Sequence, residues 1–188
     1  LATGWGYDAV DLGHAADTPD HIRAKLDDAA RTTDVVLSSG GASAGDEDHV
    51  SRLLSSEGTL SNWRIAMKPG RPLALALWHG IPVLGLPGNP SSAFVTAFLF
   101  LLPIIRHIAG SPSPLPILFE AATASDLPAG GDRAEYMRAS VEGGHITPLM
   151  VQDSGLTRTL SQSNALLIQP PNVPPRSKGT MVQYMRLA

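Results

Sequence analysis

Met67-Lys68-Pro69-Gly70-Arg71-Pro72 opens, and Leu86-Pro87-Gly88-Asn89-Pro90-Ser91-Ser92-Ala93 closes, the unit around which this chain is organised. Two short apolar segments, Leu73 to Leu77 and Ile81 to Leu86, run between the loops. The most apolar stretch, Ala93 to Ile108, follows and stops at Gly110. In the second loop Pro87 fixes φ and Gly88 permits positive φ, which reads as a tight turn. Asn89 is a favoured N-cap, and Pro90 suits the first helical position. Strand, turn and helix N-terminus in succession offer backbone N–H groups and a partial positive charge to a phosphate or another oxyanion. The first loop adds two full cations, Lys68 and Arg71, around a Pro-Gly turn. Either loop alone also reads as an ordinary turn; the two become an anion-holding pair only beside the glycine loop upstream.

That loop is Ser39-Gly40-Gly41-Ala42-Ser43-Ala44-Gly45-Asp46-Glu47-Asp48, entered from the strand Asp34 to Ser38. Val35-Val36-Leu37 is a buried-type run of the sort found in parallel sheets. Gly40, Gly41 and Gly45 let the backbone approach a ligand closely, and Ser38, Ser39 and Ser43 supply hydroxyl donors. No Gly-Lys-Ser/Thr follows, so this is not a P-loop, nor is it the dinucleotide fingerprint. Asp46 and Asp48 read equally as oxygen ligands for Mg²⁺ beside an anion site or as first-turn helix charges; Glu47 reads as the latter.

The 188 residues are 43 % hydrophobic and 16 % charged, enough for one large or two small globular domains. A net charge of −3 supplies no basic field for nucleic acid. The absence of cysteine excludes disulfides, cysteine nucleophiles and thiolate metal sites, and agrees with a reducing, cytoplasmic compartment. The six histidines show no zinc-site spacing, and no serine lies in G-x-S-x-G. The Ala93 to Ile105 run is too short to span a bilayer and contains Pro103, so a core or subunit-interface helix is expected and no membrane partner. The chain opens at Leu1, inside what reads as an element end, and is expected to be a fragment.

In order, Leu1 to Tyr7 reads as a helix tail and turn, and Ala9 to Gly13 as a short strand. Thr18 caps a helix with Pro19 at its first position and Ile22, Leu26 and Ala29 at helical spacing. A helix carrying Val50, Leu53 and Leu54 stops at Gly58, and Trp63 to Ala66 reads as another strand. Strands alternating with helices predict an α/β domain with a mostly parallel sheet, its ligand loops at the carboxyl ends of strands. Ser111 to Pro116 is a linker by composition. Beyond it, short alternating runs (Ile117 to Thr123, Tyr136 to Val141, His145 to Leu149, Ala165 to Gln169, Met181 to Leu187) predict a small all-β barrel or sheet. The domains are thus 1–110, linker 111–116, and 117–188. In the second, Arg133 and Arg138 flank Glu135-Tyr136-Met137 and read either as phosphate contacts or as a solvated pair. Ser154, in the Gln152-Asp153-Ser154-Gly155 turn, is either an oxyanion donor or part of a plain turn.

Taken in order, the glycine loop, Lys68-Pro69-Gly70-Arg71-Pro72 and Gly85-Leu86-Pro87-Gly88-Asn89-Pro90-Ser91-Ser92-Ala93 resemble the MoeA/gephyrin family of molybdopterin molybdenumtransferases. Arg138, Asp153-Ser154-Gly155 and Ser163-Asn164-Ala165 extend the resemblance over almost the whole chain. It implies a three-layer α/β domain like that of MogA, truncated at its N-terminus, followed by the family's C-terminal β-domain. It implies insertion of molybdate into adenylylated molybdopterin with release of AMP, Mg²⁺ as the cation, and a homodimer whose site is shared between subunits. Carried over by motif, Asp46 and Asp48 handle metal or molybdate. Lys68 and Arg71 face anionic groups, and Arg71 stands where many relatives have Lys. Ser39, Gly40, Gly41, Ser43 and Gly45 line the ligand; Pro87, Gly88, Asn89 and Pro90 shape the pocket wall; Arg138 and Ser154 come from the β-domain. The family's two preceding domains and its first strand with a Thr-Gly-Asp/Ser-Glu loop are absent from this sequence, so the chain alone is expected to be inactive. A MogA-like molybdopterin adenylyltransferase and a gephyrin-like scaffold are the alternatives.

Overall fold

A computed structural model of the chain describes residues 1–39, 49–70, 72–149, 152 and 162–187. In chain order its elements begin with α1 (Pro19–Thr32), β1 (Val36–Ser39), α2 (His49–Ser56), β2 (Thr59–Arg64), β3 (Met67–Lys68), β4 (Pro72–Trp78) and β5 (Ile81–Leu86). A long helix follows as α3 (Pro90–Thr96), a π segment (Ala97–Leu101) and α4 (Leu102–Ile108). The remaining strands are β6 (Phe119–Thr123), β7 (Ala134–Glu142), β8 (His145–Pro148), β9 (Ala165–Gln169) and β10 (Met181–Arg186). The chain divides into two compact units. The first holds residues 1–65, 72–88 and 96–114; the second holds 66–71, 89–95 and 115–188.

The first unit is α/β, built on a four-stranded sheet in the order β1-β5-β4-β2. α1 forms where the sequence calls for it: Pro19 opens it, and Ile22, Leu26 and Ala29 are its buried stripe. That stripe packs with Leu53 and Leu54 of α2 and with Val36, Ala76, Trp78 and Val83 of the sheet. The sheet is not mostly parallel. Only β1 and β5 run parallel; β4 is antiparallel to both β5 and β2. The reason is the short connection. His79 and Gly80, both at positive φ, form a two-residue hairpin that can only reverse the chain.

Three further expectations are corrected. Ala9 to Gly13 forms no strand, and among the described residues no strand pairs with it; the Asp11 side chain instead accepts the Gly13 N–H at 2.8 Å. The strand expected at Trp63 to Ala66 is β2, shifted towards the N-terminus, with β3 a separate element in the other sheet. In β1 only Val36 is buried, and Leu37 is 45 % exposed, because successive side chains face opposite sides of the sheet and Val36 takes the side packed against α1 and α2.

The apolar run is a continuous helix, Pro90–Ile108, of 19 residues. By length and composition it passes for a membrane span, and half of it is buried inside the chain. Its π segment ends two residues before Pro103. Proline has no N–H to give the carbonyl four residues back, and the π register absorbs that defect within the helix.

Asp27 ties α1 to the sheet through polar contacts. The indole N–H of the buried Trp78 donates to Asp27 at 2.8 Å, and His79 lies 3.0 Å from the same oxygen. The indole bond, with His79 adding to it, holds the Asp27 carboxyl below the usual carboxylate range against a smaller opposing effect of burial. A carboxyl depressed in the folded state stabilises above its unfolded value of about 3.9 and loses that stabilisation as pH falls through its folded value. Trp78→Phe is expected to cost about 1 kcal/mol at pH 7 and to flatten this acid limb. Thermal melts between pH 3 and 7, with carboxylate NMR of Asp27, would read both effects.

The second unit is a barrel. Its sheet runs β3-β7-β8-β6-β10-β9, and β7 also pairs with β9, closing five strands into a ring with β3 attached outside it. Ala121, Leu127, Ala139, Ile146, Ala165, Leu167, Val182 and Tyr184 fill the inside. The strands fall close to the sequence expectation, because alternation and the Gly143-Gly144 turn mark them locally. Residues 111–118 carry no regular structure.

Candidate functional site

In the first unit the parallel register sets Ser39 beside Leu86, so β1 and β5 end together. The turn Pro87-Gly88 leaves the sheet there. β4 begins at the same end, because its antiparallel register with β5 sets Ala74 opposite Gly85, two residues after Pro72. Three strand ends thus lie at one end of the sheet: the end of β1 at Ser39, the end of β5 at Leu86 with its turn Pro87-Gly88, and the start of β4 at Pro72. This is the carboxyl end of the parallel pair, where open α/β sheets place their ligands. Gly40, Gly41, Ser43, Gly45, Asp46, Asp48, Arg71 and Ser154 lie outside the described residues.

The helix start belongs to the second unit. Asn89 caps it: its side-chain oxygen accepts the Ser91 and Ser92 N–H groups at 3.1 and 3.2 Å, and its carbonyl accepts that of Ala93 at 2.8 Å. With Pro90 lacking an N–H, the donors expected to face an oxyanion are already bonded within the turn. What the turn retains is its shape and the helix dipole. Asn89→Ala should cost about 1 kcal/mol, a fall of roughly 2–4 °C in melting temperature that scanning calorimetry would resolve.

β3 places Lys68. It pairs parallel with β7, Met67 opposite Ala134 and Lys68 opposite Glu135, and the Lys68 ammonium lies 3.5 Å from the Glu135 carboxylate. The Lys68 side chain is 54 % exposed and that of Glu135 22 %. Glu135 is a partner that sequence reasoning missed. Its only local signal was a carboxylate lying between two arginines.

Arg138 lies on the same strand. It is buried, 3 % exposed, and its guanidinium donates to the hydroxyl of the equally buried Ser91 at 3.2 Å. Gln152 clasps its backbone, accepting the Arg138 N–H at 3.1 Å and donating to its carbonyl at 2.9 Å. The solvated-pair reading of Arg138 therefore does not hold. Within this unit one strand carries both Glu135, which meets Lys68, and Arg138, which meets the first turn of α3. Among the described residues no group of three or more histidine, aspartate or glutamate side chains is placed to hold a metal ion.

The chain thus combines an α/β unit, in which β1, β4 and β5 have their ends together at the carboxyl end of a parallel pair, with a closed five-stranded barrel. Residues 1–107 match the family model described as a probable molybdopterin binding domain, and 120–187 match the MoeA C-terminal region, domain IV. The chain belongs to the MoeA/gephyrin family. It is 32 % identical over 178 residues to a molybdopterin molybdenumtransferase of Nostoc sp., covering 88 % of this chain and 40 % of the relative. The enzyme of the same name from Bacillus subtilis is 31 % identical, with 93 % of this chain and 42 % of the relative covered. Gephyrin of Dictyostelium discoideum is 29 % identical, with 92 % and 28 % covered. The chain thus spans about two fifths of the length of the two bacterial relatives. The fold matches the molybdopterin biosynthesis MoeA protein of Pyrococcus horikosii with a TM-score of 0.80 at 23 % identity, over 98 % of this chain and 45 % of that one.

Proposed function

We propose that this chain serves molybdenum cofactor biosynthesis as part of a molybdopterin molybdenumtransferase, which inserts molybdate into adenylylated molybdopterin and releases AMP. The observation that carries this reading is the meeting of three strand ends, of β1, β4 and β5, at one end of the first unit's sheet, with the motif residues Ser39 and Pro87-Gly88 there.

In this reading the glycine loop, through Ser39, Gly40, Gly41, Ser43 and Gly45, lets the backbone close on the pterin nucleotide. Pro87, Gly88, Asn89 and Pro90 give a stiff wall beside it. Lys68 and Arg71 neutralise phosphate and molybdate oxygens, so that two anions can be held together. Asp46 and Asp48 are hard-oxygen donors of the kind Mg²⁺ takes alongside substrate oxygens, and the ion would supply charge neutralisation there. Arg138 acts from inside the second unit by fixing the first turn of α3, and Ser154 offers a hydroxyl to the ligand. The working form is a cytoplasmic homodimer.

The test is titration calorimetry of the chain with adenylylated molybdopterin, with and without Mg²⁺, alongside its mass in solution. Mg²⁺-dependent binding by a dimer supports the reading. A folded chain that ignores the nucleotide in both conditions overturns it for these residues.

A further inference from the structure

We infer that Glu135 is a positioning residue for Lys68: it sets the direction in which the lysine ammonium faces an anionic ligand. The inference rests on the reading of Lys68 as the ligand-facing cation given above. Glu135 itself touches no ligand in this account.

The backbone fixes both partners before their side chains meet. β3 is only two residues long, and its place is set by the buried Met67, by the parallel register of Lys68 with Glu135, and by the Ala134 N–H donating to the Ala66 carbonyl at 3.0 Å. A lysine side chain has four rotatable carbons and a compact charge, so an exposed lysine samples many directions. Here a carboxylate stands 3.5 Å from the nitrogen on one side. Glu135 is the more enclosed of the two, which makes it the anchor and Lys68 the moving part. An ammonium carries three donors, and a contact of this length engages one direction at most. The others stay available to phosphate or molybdate oxygens.

The surroundings leave the carboxylate to this task. Lys68 is the only cation within ion-pair distance of Glu135 among the described residues; Arg133 pairs with Asp132 at 3.5 Å. Glu135 faces Gln169 in the β7–β9 register, and Gln169 is committed to the Pro128 carbonyl and to Arg176. The negative charge of Glu135 also repels an incoming anion. That effect is screened at the half-exposed Lys68 in physiological salt, so loss of orientation decides the sign.

Two readouts on the full chain test the assignment. The first is the rate at which Lys68 is acetylated by acetic anhydride, followed by peptide mass spectrometry. Glu135→Gln should raise it about two- to fivefold, as expected for releasing one exposed ion pair. The second is a double-mutant cycle on the affinity for adenylylated molybdopterin in 0.15 M salt. Glu135→Gln should weaken binding about fivefold when Lys68 is present and leave it unchanged in a Lys68→Gln background. Glu135→Asp, which keeps the charge, should recover part of the loss. Unchanged acetylation overturns the inference, as does equal weakening in both backgrounds, which marks a general structural role, or tighter binding by Glu135→Gln. If the unsubstituted chain binds no nucleotide, the functional reading falls, and the acetylation ratio alone decides whether Glu135 holds Lys68.

Discussion

Replacing Arg138 with methionine is expected to lower the stability of the barrel unit by about 3 kcal/mol, a fall of roughly 6–12 °C in melting temperature. The guanidinium is almost wholly buried, and its partner Ser91 is fully buried, so the pair cannot be exchanged for water when one member is lost. Truncation leaves the Ser91 hydroxyl without that donor and leaves unfilled space where the fork of the guanidinium lay. The backbone at 138 should hold, because Gln152 bonds both its N–H and its carbonyl and also donates to the Leu149 carbonyl at 2.8 Å. The damage is therefore specific to the side chain, and Arg138→Lys should recover only part of it, since one point charge replaces a planar fork. Thermal melts followed by near-ultraviolet circular dichroism would show it. A melting point within 2 °C of the parent would mean that Arg138 contributes little where it is buried.

Lys68→Gln should do the opposite, leaving the fold nearly untouched and removing ligand affinity. Its side chain is half exposed and its ion pair is of the surface kind, so stability should change by less than about 1 kcal/mol. A hydrogen bond to a charged group is worth more, about 1.5–3 kcal/mol, so affinity for adenylylated molybdopterin should fall roughly 10- to 100-fold. The salt dependence of binding should also become shallower, because one cation no longer meets the ligand. Affinity within twofold of the parent would remove Lys68 from the binding machinery.

The two substitutions separate because the structure separates their surroundings, and the sequence could only partly anticipate that. Local signals worked where structure is local. Thr18-Pro19 and the Ile22, Leu26, Ala29 stripe announced α1, and the alternating runs broken by Gly143-Gly144 announced the barrel strands. They failed where a partner far along the chain defines the element. β2 is polar and carries register shifts at Asn62, so only its ladder with β4 makes it a strand. β3 is two residues long and exists because β7 lies beside it. Ala9 to Gly13 has only Val10 as a strong strand former, and among the described residues no strand pairs with it. The same logic governs the site. The Pro-Gly-Asn-Pro turn is a contiguous motif, and its Asn89 cap could be read directly; the glycine loop lies outside the described residues. The Lys68–Glu135 and Arg138–Ser91 contacts join residues far apart in sequence, so nothing in the linear pattern marked them. The capping of α3 shows the limit of motif reading in another way. Asn89 was identified as the cap, yet the cap occupies the very N–H groups proposed for an anion.

The order of the barrel strands has a consequence for biosynthesis. β10 lies between β6 and β9, antiparallel to both, yet of the five ring strands it comes last in sequence. On the ribosome, β6 to β9 emerge first, and until residues 181–186 follow, β6 and β9 each present an unsatisfied ladder to the gap. The ring therefore closes only at the end of translation of this region, while the described strands of the first unit, β1, β2, β4 and β5, are made well before then. A nascent chain stalled short of β10 would carry the first unit's four described strands and an open barrel, the species most exposed to wrong pairing with its neighbours on a polysome.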